Sequence, residues 1–160
     1  MDEQSWYASL ATMYGSAAAL ITDTAGPSAR VLLVKPNYRD RWSLPGGILE
    51  DGEPPHVGCL REVEEELGLS LPAGRMLAVA WSAPEGPRPR AIVSFIFDGG
   101  VLDDPGRIRL QREELDGWRF TAPGELADYL PCILLGRVRA ALAARDTGVP
   151  AYVAAGEPVS

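Results

Sequence analysis

The chain has 160 residues and a mass of 17.2 kDa, with 46% hydrophobic and 23% charged residues, the balance of one globular domain and not of a disordered segment. A net charge of -7 and a pI near 4.7 argue against a broad grip on nucleic-acid polymers, although a bound divalent cation reverses the local sign for a small phosphorylated ligand. No apolar run reaches the ~18–20 residues of a membrane helix. The opening MDEQSWYASL lacks a basic segment ahead of an apolar one, so no membrane association, no secretory leader and a cytoplasmic location are expected. Cys59 and Cys132 fall in no C-x-x-C pair and are expected to be reduced.

Residues 1–13 read as a polar-to-amphipathic lead-in, 14–145 as a single domain and 146–160 as a mobile tail. Gly15–Thr22 and Arg30–Val34 are apolar runs around the turn-rich Asp23–Ser28, a hairpin of two strands. The polar stretch Lys35–Leu44 ends in Pro45-Gly46-Gly47, a loop, and Ile48–Leu49 reads as a short strand before the Asp51-Gly52 turn. Pro54 and Pro55 suit a first helical turn, the following composition favours helix to Leu67, and Gly68 stops it. Arg75–Ser82 and Ala91–Asp98 read as strands around the proline-rich Ala83–Arg90, with a turn over Gly99–Gly106. Leu115–Phe120 reads as another strand, and Thr121 as the cap of a short helix to Tyr129. Leu134, Leu135, Val138, Ala141 and Leu142 recur at helical spacing within Cys132–Arg145.

Chemistry concentrates in the helix after Pro55. Glu62, Glu65 and Glu66 are related by i, i+3 and i+4, so their carboxylates share one side, while Leu60, Val63 and Leu67 form the stripe opposite. Gly58 and Cys59 lie one turn earlier on the carboxylate side and leave room for a close approach. A solvated acidic face is the plain alternative. Against it stand Arg61, able to orient a carboxylate with a bidentate pair, and a glycine-rich loop leading straight into the helix. Oxygen donors without matching His or Cys suit Mg²⁺ or Mn²⁺, not zinc.

The segment resembles the Nudix box, G-x5-E-x7-R-E-U-x-E-E-x-G-U with U a bulky aliphatic residue. It reads Gly47, Glu53, Arg61, Glu62, Val63, Glu65, Glu66, Gly68 and Leu69, matching every fixed position. Trp42-Ser43-Leu44-Pro45-Gly46 before it, and Glu114-Leu115, Trp118 and Glu125-Leu126 after it, extend the resemblance over roughly Tyr14 to Tyr129. The resemblance implies an α/β (α+β) sandwich with a mixed sheet between helices. It also implies the activity of MutT-like nucleotide pyrophosphohydrolases, in which water attacks phosphorus with the help of Mg²⁺ or Mn²⁺. Carried over by position, Glu65, Glu66 and the Gly47 carbonyl are metal ligands, and Glu62 is a ligand or the general base. Arg61 braces the carboxylates and Glu53 supports the loop. Some members take the base from a later loop, where Glu113 and Glu114 are the candidates here.

The resemblance leaves two substrate classes open, a nucleoside triphosphate or deoxy form, and ADP-ribose or a sugar-nucleotide. Subgroups for ADP-ribose carry a proline fifteen or sixteen positions past the box. Pro84 stands there, but Pro87 and Pro89 in the same loop keep it from separating the subgroups. Trp42 and Trp81 are candidates for stacking on a base, with packing beside a strand as the competing role. Arg88 and Arg90 are candidates for phosphate, or else keep a loop soluble. His56 is expected on the core side of the first helical turn, partly buried and away from the carboxylates. The expected partner is a small nucleotide, with a homodimer compatible with the family. The alternative is a non-catalytic Nudix-fold module that senses or binds a nucleotide, and retention of Glu62, Glu65 and Glu66 speaks against it. Isopentenyl-diphosphate isomerase shares the fold, but needs a catalytic cysteine in another setting and a larger chain.

Overall fold

The computed structural model describes residues 1–72 and 74–160. Alternating apolar residues build the centre. In β1 (Tyr14–Thr22) Ala17, Ala19 and Ile21 face one way and Leu20 the other, and in β2 (Val31–Pro36) Leu32 and Val34 oppose Val31 and Leu33. Both faces of these strands are apolar, so both must be covered. Helix α2 (Pro55–Leu67) closes one face with Cys59, Val63 and Leu67. The short α3 (Leu126–Tyr129) and α4 (Cys132–Thr147) close the other with Leu126, Val138, Ala141 and Ala144. The result is the expected mixed sheet between helices.

The remaining strands are β3 (Gly46–Ile48), β4 (Met76–Ser82), β5 (Ile92–Val101), β6 (Leu115–Thr121), β7 (Ala151–Ala154) and β8 (Glu157–Pro158). The sheet runs β6-β2-β1-β5-β4-β7-β8, with β1–β5 and β4–β7 parallel and β3 added to β1. One irregularity makes the site. β1 pairs with β2 at Thr22–Val31, while lower down Ser16, Ala17 and Ala18 pair with β3 instead. The chain from Ser43 to Ile48 threads into this split, Ser43 exchanging hydrogen bonds with Val34 and the Pro45 carbonyl accepting from the Ala19 N–H. Gly46 and Gly47 thereby reach the floor of the sheet opening, beside α2.

Several expectations change. The tail is not a loose end: β7 lies parallel to β4, buries Val153 fully, and turns back as β8. Gly136 on α4 explains why, since a side chain there would run into the backbone of Gly156 in the β7–β8 turn. Part of the lead-in is helical, α1 (Glu3–Ser9), capped by Asp2 accepting from the Ser5 N–H at 2.8 Å, with no buried residue. β5 continues through Val101, where a turn from Gly99 was expected. Thr121 ends β6 as a buried residue and caps nothing; a 3₁₀ turn at Pro123–Glu125 leads into α3. His56 is exposed, because burial on α2 begins only at Gly58. Among the described residues no helix is long and apolar enough to cross a membrane.

Burial pushes the Cys59 thiol up to about 12, whereas Cys132 is exposed at the start of α4. A thiol reagent is therefore expected to titrate one cysteine in the native protein and both in denaturant; two fast thiols in the native state would contradict the packing of α2.

Candidate active site

Helix α2 carries the acidic residues from the core outward. Pro55 opens it in the first turn, and Gly68, left-handed at φ 64°, closes it with its N–H donating to the Glu64 carbonyl. Between these ends the three carboxylates differ sharply in environment. Glu66 is 7% exposed and accepts from the Gly46 N–H at 2.9 Å. The Glu62 side chain is 17% exposed and that of Glu65 is 51% exposed. Burial pushes Glu66 up to about 8, with Glu62, Glu114 and Glu65 adding like-charge repulsion and the Gly46 N–H opposing it. Glu62 is raised in the same direction, burial first.

Arg61 organises the outer side. Its guanidinium forks onto Glu53 at 2.7 and 3.0 Å, and reaches Glu62 at 3.0 Å, Glu65 at 3.2 Å and the Ile48 carbonyl at 3.2 Å. Glu53 also accepts from the Glu50 N–H at 2.9 Å, and these bonds, the Arg61 fork first, hold its carboxyl down at about 2. Loop and helix are thus tied through one ion-pair hub. The small residues serve this approach. A side chain on Gly58 would meet Glu53 at 2.8 Å, and one on Gly47 would meet the Glu62 carboxyl at 2.5 Å. The space beside Gly58 is filled by the loop, and Cys59 packs into the core.

Gly46, Gly47, Glu62, Glu66 and Glu114 line one end of a cleft of about 770 Å³, whereas Glu53, Arg61 and Glu65 lie outside that lining. Of the two later-loop glutamates, Glu114 is on its wall. Glu113 is absent from that lining, and its carbonyl accepts from Asn37. Of the two roles open to Trp42 and Trp81, neither residue takes a place in the cleft. Trp42 packs on the α4-side core, edge-on to Tyr129 at 6.1 Å with Arg119 over its ring, and is not a cleft residue. Trp81 is exposed on β4 and does not line the cleft either. Arg88 does line it, bonded to the carbonyls of Ala83 and Arg90, whereas Arg90 does not. Residues the sequence did not single out complete the walls: Tyr38 and Arg39, the guanidinium 5.2 Å from the ring centre, and Arg137 with Ser82 and Ser94. Tyr38 and Arg39 come from the loop after β2, whereas Arg137, Ser82 and Ser94 are marked by no local motif because they meet only when β4, β5 and α4 are assembled.

A family model described as NUDIX domain matches residues 14–136. An ADP-ribose pyrophosphatase of Mycobacterium tuberculosis is 33% identical over 110 residues, 66% of this chain and 52% of that protein. Diphosphoinositol polyphosphate phosphohydrolase 3-alpha of Homo sapiens is 39% identical over 75 residues, 46% of this chain and 45% of that protein. The chain thus spans about half the length of these curated relatives. The NUDIX domain of Shewanella oneidensis NrtR, solved in complex with ADP ribose, shares the fold at a TM-score of 0.68 and 15% identity, covering 92% of this chain and 99% of that one. Since every fixed residue of the box lies in the loop–helix unit at the cleft, and the family match runs from β1 into α4, the chain belongs to the NUDIX family.

Proposed function

We propose that the protein hydrolyses a pyrophosphate bond in a nucleoside di- or triphosphate derivative, by attack of water at phosphorus and with Mg²⁺ or Mn²⁺ bound at the α2 carboxylates. The observation that carries this reading is the convergence of Glu62, Glu66 and Glu114 on the Gly46–Gly47 end of the cleft. Glu66 is a buried carboxylate with one backbone donor and three like-charged neighbours, an arrangement that calls for a cation.

Nudix hydrolases generally use divalent metals. The donors here are hard oxygens, and Glu65, Glu66, Glu62 and the Gly47 carbonyl are the groups that would hold such an ion. Among the described residues no group of His, Cys, Asp or Glu is gathered closely enough to enclose one as it stands, and Arg61 engages both Glu62 and Glu65. The half-exposed Glu65 is the least enclosed of these side chains, and joining the ion requires it to turn away from Arg61. When bound, the cation neutralises diphosphate oxygens and lowers the pKa of a water. The chain's own residues do the rest: Arg61 and Glu53 fix the loop against the helix, Tyr38 offers a stacking face at the cleft wall in place of Trp42 and Trp81, and Arg88 offers positive charge.

Glu114 takes the proton from the attacking water in this reading, since it stands on the cleft wall and within electrostatic reach of Glu62 and Glu66. Glu114→Gln is expected to lower kcat ~10²-fold or more, with metal affinity little changed. An unchanged kcat would move the base to Glu62.

The test of the reaction itself is incubation with Mg²⁺ and ADP-ribose, UDP-glucose, NADH, the common NTPs and dNTPs, and a diphosphoinositol polyphosphate, with products separated by chromatography. The similarity to an ADP-ribose pyrophosphatase puts ADP-ribose first. Release of a nucleoside monophosphate supports the reading. Silence with ligand-induced thermal shifts supports the binding-module alternative instead.

A further inference from the structure

The end of the cleft away from the carboxylates holds an arginine that the proposed chemistry does not use. Arg137 projects from α4 onto the sheet and donates to the hydroxyls of Ser82 on β4 and Ser94 on β5. Ser94 in turn accepts from Ser16 on β1 at 2.8 Å. All these partners are neutral.

Other inward-facing arginines of this chain are differently served. Arg61 has its glutamates, Arg145 on the same helix pairs with Asp98 at 2.6 Å, and Arg119 lies on the Tyr129 ring at 3.9 Å. Arg137 forms no ion pair among the described residues and stacks on no ring, and its buried Nε, like those of Arg119 and Arg145, lacks a partner. Glu85 lines the same end of the cleft and exchanges backbone hydrogen bonds with Arg88, but its carboxylate forms an ion pair with neither Arg137 nor Arg88. Arg88 brings a second positive charge close enough to be felt: burial first, and Arg88 second, push the Arg137 guanidinium below its ordinary value. Two unneutralised arginines facing one partly enclosed space is costly unless an anion occupies it.

The sheet register supplies the scale. Ser94 pairs with Ser16, and Ser16 with Ile48 of β3, so Ser94 stands two strand spacings, ~10 Å, from the strand that carries Gly47. That span exceeds the step from one phosphate to the next in a diphosphate. It suits a phosphate on the far side of a sugar or another ring.

We infer that the Arg137–Arg88 end of the cleft is a second anion subsite, which selects substrates carrying a phosphate monoester remote from the diphosphate that is cleaved, with Arg137 as the specificity-determining residue. The assignment of the cleaved diphosphate to the carboxylate end rests on the proposed function; the anion subsite itself does not need a metal. Two substrate sources share this chemistry, a nucleotide phosphorylated on its ribose and a polyphosphorylated ring.

The test uses the full chain in EDTA, with inorganic phosphate as the probe and chloride at matched ionic strength as the control. Phosphate is expected to raise the Tm of the wild type. The rise should be lost in Arg137→Gln, partly kept in Arg137→Lys and fully kept in Glu66→Gln. Arg88→Gln, in a surface loop, is the second variant should α4 not tolerate the first, and is expected to lose at least half of the shift. No rise in the wild type, or an equal rise in the Arg137→Gln and Arg88→Gln variants, overturns the subsite.

With Mg²⁺, KM for 2′-phospho-ADP-ribose is then compared with that for ADP-ribose, and a diphosphoinositol polyphosphate forms the third arm. A preference for the phosphorylated member of at least ~10-fold in kcat/KM is expected, and Arg137→Gln should collapse it through KM with kcat little changed. The arm that shows the preference names the source. A collapse through kcat alone, or no preference in any arm, overturns the specificity role. Absence of all turnover beside an intact phosphate shift overturns only the hydrolase reading.

Discussion

Glu66→Gln is expected to abolish turnover and at the same time to raise the Tm of the metal-free protein at pH 8. The two effects have one origin. The Glu66 carboxyl is buried against the Gly46 N–H, and burial, then the charges of Glu62, Glu114 and Glu65, lift it to about 8 from an ordinary 4.5. The native state therefore holds this proton more tightly than the unfolded chain. Between pH 4.5 and 8 the native state binds more protons, so stability falls as pH rises across that window and the penalty is complete above it. A glutamine retains an oxygen to accept from Gly46 and carries no charge. The gain at pH 8 is expected to be a rise of several degrees in Tm that fades towards pH 5. Turnover should drop at least ~10²-fold, because the deepest carboxylate of the cation site is gone. Thermal denaturation in EDTA at pH 5, 6.5 and 8, beside a turnover assay, decides the matter. A lower Tm at pH 8 would show that the carboxylate is favourably solvated, and wild-type turnover would remove Glu66 from the site. A gain of equal size at all three pH values would assign it to packing and not to charge.

What was legible in the sequence is what the chain keeps local. The loop–helix unit from Gly47 to Leu69 is held by contacts within itself, Arg61 to Glu53 and to Glu65 one turn on, so its spacing carries its geometry. The strands that alternate on two buried faces were equally readable, with bounds within one to three residues. The rest depends on contacts between distant segments. Arg137 meets Ser82 and Ser94 across 55 and 43 positions, and nothing near residue 137 marks it as a cleft residue. For Trp42 the sequence leaves stacking on a base and packing beside a strand both open, and only Tyr129, brought in by α3, shows that it packs. β7 was missed because four residues, Ala151–Ala154, show no strand pattern strong enough on their own; the edge of β4 and the bare face of Gly136 order them.

Arg61→Ala is expected to cost turnover ~10²-fold and to lower the Tm, although Arg61 touches neither substrate nor reacting water in this reading. The guanidinium fixes three things at once. It holds Glu53 in a bidentate pair that seats the loop, it orients Glu62 and Glu65, and it ties the Ile48 carbonyl to α2. Its own proton is held above the ordinary arginine value, the Glu53 bonds first, so no accessible pH releases it. Glu53 behaves oppositely: held at about 2 against an ordinary 4.5, it contributes stability that is present above pH 4.5 and is lost as pH falls towards 2. Arg61→Lys keeps the charge but cannot fork onto Glu53 while reaching Glu62 and Glu65, so it should recover only part of the activity. Because Arg61 and Glu53 act through one pair, the losses in Arg61→Ala and Glu53→Ala should not add in the double variant, whose turnover should be close to that of Arg61→Ala alone. Additive losses would mean that the two residues act separately, and that the loop is seated by something other than this fork. A lysine variant as active as the wild type would reduce the hub to a matter of net charge.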